Sequence, residues 1–272
     1  MQTWNWSEKN GIRIITMDNW LQQGINMAFS TRHGGLSSGI YDSLNMGLHV
    51  GDQKKLVQEN RRRYMQMFST TLEDVVCCQQ VHGCRVISVN AGDRGKGAME
   101  WANSIPGCDA MITDTPGVYL MSFYADCLPV YFYDPVKRAI GLAHSGWKGT
   151  MGKIVIKTLK AMQTRFSSRV GDILVFIGPG IGSCCFEILP DLAGKVDAEF
   201  SHLHDIINYS NNGVITWDLQ ETNRQMLQQA GIEPHNICVC SICTACNTGN
   251  FYSYRMEKGE TGRMAAVLGI EY

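Results

Sequence analysis

The sequence has no excess of charge of either sign. Its 24 basic and 25 acidic side chains give a formal net charge of −1 at pH 7, and charged residues make up only 18% of the chain. Proteins that bind nucleic acid or an anionic membrane surface usually carry a basic patch or stripe. Lysine and arginine are instead spread along this chain, so neither kind of partner is predicted.

A long hydrophobic run is also absent. The most apolar window, Gly117 to Tyr133, contains Asp126 and Pro129 and is shorter than the roughly 20 residues that a membrane helix needs. The polar segment from Met1 to Asn10 is unlike a signal peptide, which has a basic start followed by an apolar core. The apolar window is therefore predicted to be a core hairpin, and we expect no membrane association.

No linker divides the chain. With 272 residues, of which 44% are hydrophobic, it can bury a large core, and either one large domain or two smaller ones would fit. Apolar runs typical of buried strands alternate with segments of helical periodicity. This alternation predicts an α/β architecture.

The eleven cysteines are an odd number, and no export signal accompanies them. We therefore expect reduced thiols in a cytoplasm rather than a disulfide framework. Cys240, Cys243 and Cys246 are spaced so that they could hold a structural zinc ion or an iron–sulfur cluster. No second cysteine pair follows downstream, and such a site would have to borrow Cys238 from a strand. Buried thiols are the simpler interpretation.

The stretch from Asp109 to Thr150 carries two residues with metal or nucleophile chemistry. Val118 to Tyr124 is a continuous apolar run that soon reaches Cys127, and a second run, Ala139 to Ala143, leads directly to His144. Both residues are therefore predicted to lie at strand ends. Side chains there are held by rigid backbone yet sit near solvent, as a functional site requires.

A third candidate, His82, lies at another junction between a strand and a turn. Two imidazoles and a thiolate suit zinc, which in catalytic sites leaves one coordination position for water. Three residues so far apart in sequence need not meet in the fold. Each also has a simpler interpretation, since a lone cysteine is most often a buried hydrophobe and a lone histidine is often a core residue. Cys127 and His144 could also serve as nucleophile and base of a metal-free hydrolase.

A series of motifs runs in order along nearly the whole chain. The segments are F-S-T-R-H-G-G (29–35), S-L-N-M-G-L-H-V-G-D (43–52), E-N-R-R-R (59–63), Q-Q-V-H-G (79–83), A-D-C-L-P-V (125–130), A-H-S-G-W-K-G-T (143–150), G-P-G-I-G-S-C-C-F-E-I (178–188) and T-G-R-M-A (261–265). Together they resemble the laccase-domain family. Its members were first called multicopper polyphenol oxidoreductases and are now regarded as purine nucleoside phosphorylases with adenosine deaminase activity.

The resemblance implies a fold and a metal site. The fold is a single domain over residues 1–272, built as a layered α/β/β/α sandwich with mixed sheets and similar to cysteine hydrolases. The zinc ligands of the family correspond to His82, Cys127 and His144. Cys127 and His144 are thereby implied to be catalytic, and Asp126 could orient a metal ligand or move a proton.

The resemblance also implies an activity. It is the zinc-dependent phosphorolysis of adenosine, inosine and methylthioadenosine to free base plus ribose 1-phosphate or its methylthio analogue, with hydrolytic deamination of adenosine to inosine. The expected partners are purine nucleosides and phosphate, and the chain could be a monomer or a homodimer. Phosphate needs fixed cationic donors, for which Arg32, Arg61 and Arg263 are the candidates.

Other functions stay open. Cu²⁺ could occupy the same three ligands, because it outcompetes Zn²⁺ at most such sites. A multicopper oxidase is disfavoured, since one cysteine and two histidines cannot supply such a cluster and the chain has only seven histidines. A Cys–His hydrolase, an enzyme that edits peptidoglycan precursors, and a non-catalytic metal or redox module built on Cys238 to Cys246 are the alternatives.

Four further segments carry local predictions. Arg13 to Met17 alternates like an edge strand, and Asp52 is placed to cap a helix. The Gly-rich, charged segment Ala91 to Asn103 is predicted to be a loop. Phe251 to Arg255 reads as a strand, but the chain departs from the family pattern around it, so Arg255 is given no role.

Overall fold

The computed structural model describes residues 3–272, and its strands form two six-stranded sheets and a two-stranded ribbon. The strands are β1 (Asn5–Lys9), β2 (Ile12–Thr16), β3 (Ile25–Ser30), β4 (Val75–Cys77), β5 (Val86–Ser88), β6 (Ala110–Thr113), β7 (Tyr119–Tyr124), β8 (Leu128–Asp134), β9 (Ala139–Ser145), β10 (Leu174–Ile177), β11 (Ile207–Tyr209), β12 (Ile215–Trp217), β13 (Ile237–Val239) and β14 (Met264–Ile270). The α-helices are α1 (Asp18–Leu21), α2 (Lys54–Gln66), α3 (Trp147–Met151), α4 (Ile154–Phe166), α5 (Pro190–Glu199) and α6 (Leu219–Gln229).

Both large sheets are mixed. The first has the order β1-β2-β3-β14-β7-β4 and the second the order β13-β10-β8-β9-β6-β5, while β11 and β12 form the ribbon. Three outer pairs are parallel, namely β4 with β7, β5 with β6, and β10 with β13. The remaining pairs are antiparallel.

Strand β14 shows how the first sheet divides the core. Successive side chains of a strand point to opposite faces of its sheet. Ala266 and Leu268 belong to a buried cluster that also contains Tyr131 and Leu142 of the second sheet. Val267, which lies between them, faces the other side of the sheet and packs in a separate cluster with side chains of α2.

The outer face of the second sheet is covered by helices. Val155, Leu159 and Met162 recur at helical spacing in α4 and pack in one cluster with Phe132 of β8 and Leu227 of α6. The predicted α/β class is confirmed as a mixed α/β single-domain fold. The α/β/β/α layering and the likeness to cysteine hydrolases stay predictions.

The predicted core hairpin is wrong. Strand β7 belongs to the first sheet and β8 to the second, so the chain crosses from one sheet to the other between Tyr124 and Leu128. Asp126, in the middle of this crossing, has a φ of 83°, a left-handed conformation that is uncommon for residues other than glycine. The crossing places Cys127 where the two sheets meet.

Three local predictions also need correction. Residues 13–17 overlap β2, which lies inside the first sheet, whereas the edge strands of this sheet are β1 and β4. Asp52 does not cap α2, since its carboxylate accepts hydrogen bonds from Ser37 Oγ and Asn45 Nδ2 instead. The segment from Phe251 to Arg255 forms no strand, because it turns at the edge of a cavity. No helix within residues 3–272 has the length and apolar character needed to span a membrane.

Candidate active and metal site

His82, Cys127 and His144 lie together. One ligand atom from each residue is within 4.8 Å of those of the other two. His82 is exposed, Cys127 is half-buried and His144 is buried, so the group reaches from the core to the surface. That these residues bind a metal stays a prediction, but the structure meets its geometric requirement.

Sheet pairing explains why three distant residues meet. His144 is opposite Pro129 in the antiparallel pair of β8 and β9, which puts it next to the crossing that carries Cys127. Strand β4 runs parallel to β7, so the C-terminal ends of both strands lie on the same side of the first sheet. The turn after β4 contains His82, whose φ of 57° lies in the left-handed region.

Asp109 contacts two of the three residues, His82 through its backbone and His144 through its ring, and the sequence analysis assigned it no role. Its buried carboxylate accepts hydrogen bonds from the backbone N–H of His82 at 2.9 Å and of Gly83 at 2.8 Å. The same carboxylate is 2.9 Å from Nδ1 of His144, which leaves Nε2 of that ring available to Cys127. A carboxylate behind a histidine ligand is a common feature of metal sites, where it sets the ring orientation.

Cys127 and His144 shift the pKa values of each other's side chains in opposite directions. Burial alone would raise the pKa of the Cys127 thiol, but the adjacent His144 and His82 lower this pKa to about 6. Burial likewise opposes the charge on His144, yet Cys127 and Asp109 raise its pKa to about 9. At neutral pH a thiolate therefore faces an imidazolium.

His82, Cys127 and His144 line a cavity of about 550 Å³. This volume lies in the range of small-molecule sites. Its aromatic wall is formed by Trp101, Phe123, Trp147 and Tyr254, and its cationic groups are Lys148, Arg255 and Arg263. Flat aromatic faces beside positive charges suit a ligand that carries both a planar ring and an anionic group.

Asp126 lines the same cavity but is mainly engaged with neighbouring loops. Its carboxylate accepts hydrogen bonds from Thr244 Oγ1 at 2.7 Å, from Ser253 Oγ at 3.0 Å and from the backbone N–H of Arg255 at 2.7 Å. The side chain is 7% exposed. These contacts favour a structural role, in which Asp126 ties the crossing to the loops around it.

Among the three predicted phosphate ligands, Arg263 lines the cavity. Its Nη1 donates to the carbonyl oxygens of Thr261 at 2.8 Å and Gly262 at 2.9 Å, which holds the side chain in place. A Cβ on Gly47 would come within 2.9 Å of Arg263 Cγ, so glycine leaves the space that this arginine occupies. Burial lowers the pKa of its guanidinium group from the usual value.

Arg32 and Arg61 are not among the residues that line the cavity. Arg32 forms an ion pair with Glu257 at 3.0 Å and donates to two carbonyl oxygens. Arg61 is fully buried and donates to the carbonyl oxygens of Met46, Gly97 and Ala98. Both guanidinium groups hold loops together, which gives them a role other than the predicted phosphate contact.

Several cavity residues were missed by the sequence reasoning, among them Arg255 and His49. Arg255 reaches the cavity although its surrounding segment departs from the family pattern. His49 stacks beside Trp101, with ring centroids 4.6 Å apart. Burial, Arg263 and Arg61 lower the pKa of His49 to about 4, so its imidazole is neutral at pH 7. Its place in the motif S-L-N-M-G-L-H-V-G-D was the only sequence signal.

Comparisons with known proteins identify the family of this chain. Residues 26–271 match the family model described as multi-copper polyphenol oxidoreductase laccase. Purine nucleoside phosphorylase YlmD of Geobacillus stearothermophilus is 40% identical over 247 residues, or 90% of each chain. Purine nucleoside phosphorylase YlmD of Bacillus subtilis is 35% identical over 262 residues, or 94% of each. The crystal structure of YlmD from Geobacillus stearothermophilus has a TM-score of 0.91 to this chain, with 38% identity and 98% of each chain covered.

Proposed function

Because the chain belongs to the multi-copper polyphenol oxidoreductase laccase family, we propose that it is a purine nucleoside phosphorylase, the activity for which its curated relatives are named. One observation carries the proposal. His82, Cys127 and His144 converge at a cavity that also offers aromatic faces and cationic groups. A nucleoside and phosphate together need all three kinds of contact.

The donor set fits a zinc ion. Two imidazole nitrogens and a thiolate are borderline-soft ligands that zinc accepts in tetrahedral geometry, with one position left for substrate or water. The low pKa of Cys127 and the carboxylate behind His144 prepare two of these ligands. A zinc ion bound here would supply Lewis acidity. Cu²⁺ can occupy the same ligands, and the experiments below separate the two metals.

In phosphorolysis, a phosphate oxygen attacks the anomeric carbon of the ribose while the bond from that carbon to the purine nitrogen breaks. The bonding pair leaves with the purine, which takes up a proton, and ribose 1-phosphate is formed. Arg263, Arg255 and Lys148 are the cationic groups placed to hold phosphate at the cavity. Orientation of phosphate toward the sugar is the main contribution that such groups make.

The purine is assigned to the aromatic wall. Trp101 and Phe123 offer flat faces, and the neutral imidazole of His49 lies beside both. A neutral imidazole can donate or accept a hydrogen bond with the base without placing a positive charge next to it. Adenosine, inosine and methylthioadenosine are the proposed substrates, since they share the purine ring and differ at its edge or at the sugar.

We also propose the hydrolytic deamination of adenosine at this site. Water adds to C6 of the purine, ammonia leaves, and inosine is the product. The reaction needs a group that moves protons beside the substrate. A zinc ion held by His82, Cys127 and His144 would supply this chemistry, because a metal ion lowers the pKa of water.

A second function is favoured by one specific contact. Cys127, His144 and Asp109 stand in the order of nucleophile, base and orienting carboxylate that thiol hydrolases use. In such an enzyme the thiolate would attack a carbonyl carbon directly. This alternative needs no metal, so it makes opposite predictions about chelation.

The test combines metal analysis with an activity assay. Protein purified without added copper should contain about one equivalent of zinc bound by His82, Cys127 and His144. His82→Ala should lose this zinc and the phosphate-dependent release of adenine from adenosine, whereas the control His235→Ala, far from these residues in sequence, should keep both. A chelator should abolish the activity and added zinc should restore it.

The same experiment can reject the proposal. Full activity after chelation, together with inactivation by alkylation of Cys127, would instead establish a thiol hydrolase. Adenine release that does not depend on phosphate would also contradict phosphorolysis. Copper in place of zinc, with activity restored only by copper, would overturn the assignment of the metal.

A further inference from the structure

A second group of cysteines lies in the wall beside the cavity. Cys184, Cys185, Cys243 and Cys246 have sulfur atoms within 4.8 Å of one another. Cys246 Sγ is 3.4 Å from the sulfur of Cys184 and 3.4 Å from that of Cys185. The sequence suggested Cys238 and Cys240 as partners of Cys243, but the structure supplies the missing pair from upstream.

We propose that Cys184, Cys185, Cys243 and Cys246 bind a structural zinc ion. Zinc–sulfur bonds of about 2.3 Å in a tetrahedron place the sulfur atoms about 3.8 Å apart. The two printed separations of 3.4 Å are close to that value, and all four sulfur atoms lie within 4.8 Å of one another. They suit a single ion, whereas the ligands of an iron–sulfur cluster must surround several metal and sulfide atoms.

Backbone pairing brings the two halves of the site together. Gly180 and Cys243 form a parallel bridge, and the N–H of Thr244 donates to the carbonyl oxygen of Gly180 at 3.0 Å. This pairing extends the contact between the neighbouring strands β10 and β13. The four sulfur atoms are therefore held on two connected segments of backbone rather than on independent loops.

Gly182 makes room for the sulfur atoms. A Cβ there would lie 3.1 Å from Cys243 Cβ and 3.3 Å from Cys184 Sγ, closer than ordinary contact. The N–H of Gly182 donates to Cys243 Sγ at 3.2 Å. Hydrogen bonds from backbone amides to sulfur stabilise a thiolate, the form that binds metal.

The charges around the group agree with this use. The guanidinium group of Arg255 donates to the carbonyl oxygens of Cys185 and Glu187, which places a positive charge beside the group. A zinc ion with four thiolates carries two negative charges, which this arginine would partly offset.

Such an ion would fix one wall of the cavity. Ile181 and Phe186, on either side of the first cysteine pair, line the cavity. The N–H of Ile181 donates to the carbonyl oxygen of Asp126 at 2.7 Å, and Thr244 donates to the Asp126 carboxylate. The zinc site would thus hold the segments that flank the crossing next to Cys127, without touching substrate.

The test is metal stoichiometry in the full chain, purified with reductant and without added metal. Wild-type protein should contain about two equivalents of zinc, and Cys246→Ser about one. Cys127→Ala should also contain about one, because it loses only the ion proposed for the cavity. The double variant should contain none, and the control Cys238→Ser should match wild type.

A second measurement begins with the wild-type protein. A thiol-alkylating reagent followed by peptide mass analysis should spare all four cysteines while zinc is bound and modify them after chelation. The same pattern in the Cys127→Ala background would show that the result does not depend on the proposed enzyme activity. Protection lost together with one zinc in Cys184→Ser supports the assignment.

Three results would overturn the proposal. Zinc content in Cys246→Ser equal to that of wild type would show that the group binds no ion. Iron with visible absorption would replace the assignment of zinc. An intact mass about 2 Da low in the reduced preparation, which indicates a disulfide among these cysteines, would make the group a redox pair instead.

Discussion

Asp109 connects the two histidines of the cavity, because it binds the backbone of His82 and the ring of His144 at once. In Asp109→Asn the amide keeps the size of the side chain but loses its charge, so we expect zinc affinity to fall by about 10- to 100-fold. Competition with a fluorescent chelator measures the affinity. Asp114→Asn, on an exposed loop, is the matched control and should bind as wild type does.

Arg263 is expected to contribute most to phosphate binding. Arg263→Gln should raise the KM for phosphate by at least about tenfold, equivalent to about 1.4 kcal/mol, while the KM for the nucleoside changes less. Arg32→Gln should lower the free energy of unfolding and leave the KM for phosphate unchanged, because its ion pair with Glu257 joins two loops. Initial rates at varied phosphate, with urea unfolding, distinguish the two effects.

The ion pair of Cys127 and His144 predicts a pH dependence. In the metal-free protein the Cys127 thiolate fraction rises as pH rises through its pKa of about 6, far below the usual value of a thiol. The rate of alkylation should therefore be half-maximal near pH 6. In His144→Gln the pH of half-maximal alkylation should rise, since the variant loses the charge that lowers the pKa of Cys127 most. A half-point that stays near that of a free thiol in the wild type would contradict the ion pair.

At the scale of the element, the crossing between β7 and β8 controls the position of Cys127. Asp126 holds it through three hydrogen bonds to two loops. In Asp126→Asn an amide NH2 group can replace the oxygen that accepts the hydrogen bonds from Ser253 and Arg255. We expect this to lower the free energy of unfolding by about 1–3 kcal/mol. Chemical denaturation of metal-free protein measures the change without contributions from a bound ion. Asp134 lies outside these loops, but it is buried too, so the exposed Asp114→Asn serves as control.

Elements with a strong local signal could be predicted from the sequence. The helical spacing from Val155 to Phe166 gave α4, and the Asp218 side chain caps α6 as its type suggests. The crossing at Asp126 could not, because two apolar runs separated by a short turn usually form a hairpin. Here β7 and β8 pair with strands of two different sheets, and these contacts between residues distant in sequence override the local preference for a hairpin.

The candidate site could be predicted only where its residues lie in a sequence motif. Family motifs pointed to His82, Cys127 and His144, but Asp109 carries no motif, and its partners lie 27 and 35 residues away. Arg32, Arg61 and Arg263 have the same chemistry in the sequence. Their different contacts in the fold are what separate a cavity residue from two that hold loops together.

At the scale of the whole molecule, the buried cluster shared by both sheets should dominate stability. Leu268 of β14 is fully buried in it. Leu268→Ala should lower the free energy of unfolding by about 2–5 kcal/mol, because it leaves a cavity in close-packed surroundings. Leu189→Ala, at a side chain that is 77% exposed, should change it by less than about 0.5 kcal/mol. Urea unfolding of both variants gives the comparison.

The place of β14 in the first sheet has a consequence for biosynthesis. It lies between β3 and β7, so this sheet stays split in two until residues 264–270 have left the ribosome. Strands β4 and β7, which bring the turn of His82 to the crossing, are on the far side of that gap. The pairing of β14 with β7, the strand that leads into the crossing, can therefore form only after residues 264–270 have been synthesised.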